Sequence, residues 1–141
     1  MSTEENKELV RRFNEGINEY IRTGNLDPVL DTLHPDVTFD VAGMPPTLEG
    51  MKQVLPAFRT AFPDLHLTVG EMIAHEDKVA YRSTWTGTHQ GELMGIAATG
   101  NRVTATETHL ELIANGKILK HTGDWDQLGM LQQLGVVPSM G

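Results

Sequence analysis

The chain has 141 residues, 39% of them hydrophobic, and a formal net charge of −8. That length and apolar content fit one domain, residues 1–141, with one core. The acidic balance argues against nucleic acid and anionic membrane surfaces, which require clustered Lys and Arg.

Residues 3–23 read as a helix. Ser2 and Glu5 form a capping-box pair, and Leu9, Val10, Phe13, Ile17, Tyr20 and Ile21 make an apolar stripe at helical spacing. Thr23-Gly24-Asn25 ends it. Asp27-Pro28 opens a short second helix through Leu30 and Leu33, which His34-Pro35 stops. Asp36 to Val41 alternates as a strand, and Gly43 to Pro46 is a loop. Leu48 to Phe62 reads as a third helix, with a kink or break expected at Pro56. The period then changes to two. Leu65 to Met72 and Lys78 to Thr88 are strands about a turn at His75-Glu76-Asp77, and a loop with Gly91, Gly95 and Gly100 follows. Arg102 to Ala114 and Lys117 to Trp125 complete the sheet. Asp126 to Leu134 is a short terminal helix stopped by Gly135. Helices followed by mostly antiparallel strands give α+β order.

The last two strands flank Asn115-Gly116, a strong hairpin signal. A two-residue loop there sets Glu107 opposite Asp124, His109 opposite Thr122 and Glu111 opposite Lys120 on one face. Leu110, Leu112, Leu119 and Trp125 then share the other face, and His121 falls on that apolar, outward side. Whether the polar face looks at water or into a pocket is left open by the pairing.

The first helix, Leu33-His34-Pro35-Asp36-Val37, Phe62-Pro63-Asp64-Leu65, the segment Gly87-Thr88-His89-Gln90-Gly91 and the tail Leu131-Gln132-Gln133-Leu134-Gly135 occur in an order that resembles the SnoaL-like polyketide cyclases, or ester cyclases, of the nuclear transport factor 2-like superfamily. The likeness covers nearly the whole chain. It implies a cone-shaped α+β barrel: three N-terminal helices packed in a strongly curved mixed or antiparallel sheet, a short C-terminal helix, and a pocket at one end. It also implies homodimers or higher oligomers through the outer sheet face. The activity it implies is intramolecular aldol ring closure on an apolar, carbonyl-bearing molecule, without metal or organic cofactor, by an Asp acid/base and a nearby His. Carried onto the hairpin, Ile118, Lys120, Thr122 and Asp124 face the pocket. Asp124 then matches the catalytic Asp and His109 its His, with Asp126 the rival. Thr122 and Lys120 depart from the family pattern of Trp and an acidic residue.

The residues themselves support such chemistry. Two carboxylates across a strand pair, Glu107 and Asp124, repel, and a dry site then keeps one protonated. His109 beside them holds a second proton or polarises a carbonyl. On the alternative reading this is a solvated sheet face. His89 lines the pocket mouth or caps a turn. Trp85 and Tyr81 share a strand face and either stack on a flat substrate or fill core. Phe13, Ile17, Tyr20 and Phe39 are core residues that floor the pocket of a cone fold, and Met94 suits an adaptable pocket wall as well as core. A steroid-isomerase-like proton transfer would use Asp40 and Tyr20, though neither sits where those enzymes place them. A non-catalytic small-molecule-binding or dimeric interaction module is the alternative from outside enzymology. No three ligands converge at metal spacing and no cofactor fingerprint occurs, so neither metal nor cofactor is expected. With no cysteine, no signal-peptide core and no long apolar run, a cytoplasmic location is expected, with no membrane partner.

Overall fold

A computed structural model describes residues 2–138. Helix α1 spans Thr3–Thr23. Its start is the expected capping box: the Glu5 amide donates to Ser2 Oγ at 3.1 Å and the Ser2 amide to Glu5 Oε1 at 3.2 Å. It ends at Gly24, whose φ of +80° favours glycine. Helix α2 covers only Asp27–Leu30. Strand β1, Leu33–Val41, begins earlier than the sequence suggests and runs through His34-Pro35. Proline before a strand's regular pairing is tolerated where no ladder hydrogen bond is needed, and β1 pairs without continuous register between Leu33 and Thr38. Helix α3, Leu48–Ala61, passes Pro56 without a break. Pro56 is exposed, so water can satisfy the carbonyl one turn back that loses its partner.

Strands β2 (His66–His75), β3 (Lys78–Thr88), β4 (Arg102–Ala114) and β5 (Lys117–Trp125) follow, then helix α4, Gln127–Gln133. The sheet order is β1-β5-β4-β3-β2, with β1 parallel to β5 and the other pairs antiparallel. This is an α+β fold on a five-stranded mixed sheet. Helix α1 lies against β2 and β3, and α4 against β4. The Asn18 side chain joins α1 to β2: it donates to the Leu67 carbonyl at 3.0 Å and accepts from the Leu67 amide at 2.7 Å, as a neighbouring strand would. None of the described helices is long and apolar enough to cross a membrane.

The hairpin forms where expected, with φ of +53° at Asn115 and +73° at Gly116. Its first two pairs keep the expected register, Ala114 with Lys117 and Ile113 with Ile118. Then Leu112 pairs with Lys120, leaving Leu119 as an extra residue, a β-bulge. The opposite edge of β5 loses register at the same place, between Leu33 and Thr38 of β1. Beyond the bulge every β5 side chain has changed face, since side-chain direction has a period of two. Glu107 therefore opposes Trp125, Thr108 opposes Asp124, His109 opposes Gly123 and Glu111 opposes His121.

The core has two parts. One joins Leu9, Val10 and Phe13 of α1 to Val29, Phe39, Val79, Tyr81 and Ile118. The other joins Phe62, Trp85, Leu93, Val103, Met130 and Leu134.

Candidate active site

A cavity of about 150 Å³ draws its wall from both parts of the core. Helix α1 supplies Phe13, Asn14, Ile17, Tyr20 and Ile21, α3 supplies Met51, Leu55 and Phe58, and the sheet supplies Phe39, Tyr81, Trp85, Glu107, His109, His121 and Trp125. One region of the wall is aromatic: Trp125 lies 6.3 Å, centroid to centroid, from both Trp85 and Phe58. The ionisable groups are gathered where β4 and β5 face each other inside.

There the sheet presents two imidazole–carboxylate pairs. His109 Nε2 lies 3.2 Å from Glu107 Oε2, and Ser83, directly opposite on β3, donates its hydroxyl to Glu107 Oε1 at 3.2 Å. His121 Nδ1 is hydrogen-bonded to Glu111 Oε1. Glu111 is fully buried, and its Oε2 has no partner among the described residues. The two imidazoles stack with centroids 4.7 Å apart and planes 31° from parallel. Phe13 and Phe39 flank His121, and Tyr81 flanks His109 at 5.2 Å.

The nitrogens of the two rings differ in access. His109 has Nε2 committed to Glu107, while Nδ1 is sealed from solvent, has no partner among the described residues and faces Gly123. His121 has Nδ1 committed to Glu111. Its Nε2 makes no hydrogen bond among the described residues and is not one of the sealed polar atoms, so it opens to the cavity. Burial alone would favour neutral His109, but the hydrogen bond and charge of Glu107, with the charge of Glu111, outweigh it and raise its pKa above the ordinary 6.5. The stabilisation that His109 contributes is thus complete below about pH 6.5 and is lost as pH rises through the higher folded value. The difference in urea midpoint between the wild type and His109→Gln is expected to shrink, to the wild type's disadvantage, between about pH 6 and pH 9.

Several expected site residues do line the cavity: His109, Glu107, Trp85, Phe13, Ile17, Tyr20 and Phe39. Asp124 does not. The bulge at Leu119 turns it outward, opposite Thr108, where it is exposed. The same flip takes Thr122 and Lys120 off the cavity wall and brings His121 and Trp125 onto it, the reverse of the expected outward placement. Asp126 is the N-cap of α4, its Oδ1 accepting from the Gly129 amide at 2.8 Å, and it is exposed. Asp40 is exposed on β1. No aspartate therefore lines the cavity among the described residues. His89 is buried away from it: Nδ1 accepts from the Thr99 amide at 3.1 Å, and the ring packs on Phe62 to hold the Gly91–Gly100 loop. Met94 is 57% exposed on that loop and does not reach the cavity.

Gly123 carries no sequence signal of a site, yet the site depends on it. A Cβ at 123 would lie 2.2 Å from His109 Nδ1, so the ring occupies the place of the missing side chain. The sequence signal for His121 and Glu111 was the period-two spacing itself, misread by one residue on β5 alone.

Comparisons with known proteins agree with this architecture. A family profile described as SnoaL-like polyketide cyclase matches residues 8–134. The aklanonic acid methyl ester cyclase DauD of Streptomyces sp. (strain C5) is 34% identical over 139 residues, covering 91% of this chain and 80% of that protein. The nogalonic acid methyl ester cyclase of Streptomyces nogalater is 33% identical over 123 residues, covering 80% of this chain and 87% of that protein. Among solved structures, AclR of Streptomyces galilaeus, assigned only provisionally as a hydroxylase, superposes with a TM-score of 0.88 at 30% identity, covering 99% of this chain and 91% of that one.

Proposed function

Because the chain belongs to the SnoaL-like polyketide cyclase family, we propose that it closes a ring in an apolar, carbonyl-bearing ester by intramolecular aldol addition, with His121 as the base. The observation that carries this reading is the orientation of His121. Buried Glu111 holds Nδ1, and Nε2 opens into an apolar cavity. With Nδ1 donating its hydrogen to Glu111, the lone pair lies on Nε2, the arrangement a general base requires. A carboxylate behind the ring also stabilises the imidazolium formed when the proton is taken.

The reaction balances without an external electron donor or acceptor. His121 Nε2 takes a proton from the carbon next to a carbonyl. The enolate carbon attacks a second carbonyl in the same molecule, and the new alkoxide takes the proton back from His121. The product has the mass of the substrate, and this chemistry calls on no redox cofactor. His109, held by Glu107, contributes positive charge near the developing enolate. The aromatic region of the wall, with Trp85, Trp125 and Phe58, suits a flat ring system. A binding module would gain little from a buried carboxylate orienting an imidazole toward its ligand, which favours the enzyme over the non-catalytic alternative. A second copy of the chain is expected on the outer sheet face, where Leu110 is 42% exposed among Thr104, Thr106 and Thr108.

The test is incubation of the protein with aklanonic acid methyl ester and nogalonic acid methyl ester, followed by chromatography and mass spectrometry. A product of unchanged mass and altered retention is expected from at least one ester. Unaltered substrate in both reactions would overturn this choice of substrate class.

A further inference from the structure

The enolate oxygen needs a hydrogen-bond donor, and neither histidine supplies one. His109 has one nitrogen on Glu107 and the other sealed against Gly123, and His121 is engaged as the base. We propose that Tyr81 is that donor, its hydroxyl hydrogen aimed into the cavity by Asn14; the inference rests on the aldol reading above and extends it.

The aim follows from hydrogen-bond accounting. Asn14 Nδ2 lies 2.9 Å from the Val10 carbonyl, which can only accept, so the atom there must be the amide nitrogen. Its other hydrogen goes to Tyr81 Oη at 3.3 Å. Tyr81 Oη is thereby an acceptor toward Asn14, and its own hydrogen turns elsewhere. No acceptor among the described residues takes it. Glu111 Oε2 is itself without a partner, so the two are not bonded to each other. Tyr81 and Asn14 both line the cavity, which is where the hydrogen is left to point.

The phenol also stays protonated. Burial, then the charge of Glu111, push its pKa well above the ordinary value, more than the Asn14 hydrogen bond lowers it. A neutral, nearly sealed O–H on the wall of the cavity that His121 also lines is a preorganised donor for a developing oxyanion. No proton need leave Tyr81: it shares its hydrogen with the enolate oxygen while His121 carries the abstracted proton. The ring is fixed by its contact with His109 and by Asn14, so the donor is placed before substrate arrives.

The experiment compares the wild type with Tyr81→Phe. With a turned-over ester, kcat is expected to fall by about 10- to 100-fold while KM changes by no more than about threefold, the mark of an interaction made in the transition state. In parallel, 2-naphthol and naphthalene are titrated by fluorescence. The wild type is expected to prefer 2-naphthol, and Tyr81→Phe to lose about tenfold of that preference, with naphthalene affinity unchanged. If Tyr81→Phe does not fold, Asn14→Leu takes its place and the naphthol preference should fall in the same direction. An undiminished preference, or an undiminished kcat, overturns the proposal. Failure of the wild type on both esters would instead remove the substrate reading, and the naphthol comparison would still decide the donor.

Discussion

His121→Asn is expected to lower turnover by about 10³- to 10⁴-fold, the largest effect of any single change in the cavity. Asn fills part of the space and can still donate to Glu111, but it has no nitrogen lone pair to take a proton. The stability cost should be modest, about 1–3 kcal/mol, because the Asn amide can still give the buried carboxyl a hydrogen bond. Thermal melting monitored alongside activity separates the two effects. Glu111→Gln should share the loss of activity in part: the amide can present its N–H to Nδ1 and so leave the opposite tautomer, with a proton on the nitrogen that should accept one. Since the two residues act as a unit, the double variant should be no slower than His121→Asn alone. A double variant that is slower by the product of the two single effects would mean that Glu111 acts independently of His121.

Gly123→Ala is the second large effect. The added methyl would sit 2.2 Å from His109 Nδ1 and 2.6 Å from Cε1, so the ring must move. It is confined by His121 on one side and Tyr81 on the other. The ring can only shift by breaking its contact with Glu107 or by entering the cavity, and either displaces the groups the chemistry uses. An activity loss of about 10²-fold or more is expected, with a stability loss of about 1–3 kcal/mol typical of overpacking. The mechanism has a specific signature. In the double variant Gly123→Ala with His109→Ala the clash is gone, so the stability costs should be clearly less than additive, as read from urea midpoints. Additive costs would show that the two residues do not share that space. Thr122→Ala, one residue away on the outer face, should leave activity at the wild-type level.

Most of the fold was legible because its signals are local. The Ser2–Glu5 cap, the apolar stripe of α1, the Asn115-Gly116 turn and the period-two strands each depend on residues within a few positions of one another. That Glu107, His109 and Glu111 share one face of β4, alternating with Thr108 and Leu110, was legible for the same reason; that the face points inward was implied only by the resemblance, and Glu111 meets His121 instead of the expected Lys120. The face of β5 was not. Leu119 bulges where β5 is flanked by β4 on one edge and by the irregular start of β1 on the other. That is a non-local event, and nothing in Ile118-Leu119-Lys120 marks it. One inserted residue exchanged Asp124, Thr122 and Lys120 for Trp125, Gly123 and His121. Lys120, Thr122 and Asp124 made the even-numbered face of β5 read as the polar one, and Leu119 and Trp125 made the other read as apolar, which hid the error. Gly123 was invisible for a different reason, since its role is to be empty so that His109 can fill the space. His89 and Met94 were drawn to the pocket by the glycine-rich segment, whereas their loop closes on Phe62 and Asn101 outside it.

The family resemblance leads to an expected aspartate acid/base on the last strand, and in this chain that strand's aspartate faces out while its histidine faces in. The carboxylates of the site come from β4 instead. On the proposed mechanism His121, not Asp124, takes the proton. The most direct measurement of this is kcat/KM of His121→Asn and Asp124→Asn side by side on the same ester. The expected result is Asp124→Asn within about threefold of the wild type and His121→Asn lower by about 10³-fold. An inactive Asp124→Asn beside a functional His121→Asn would contradict it.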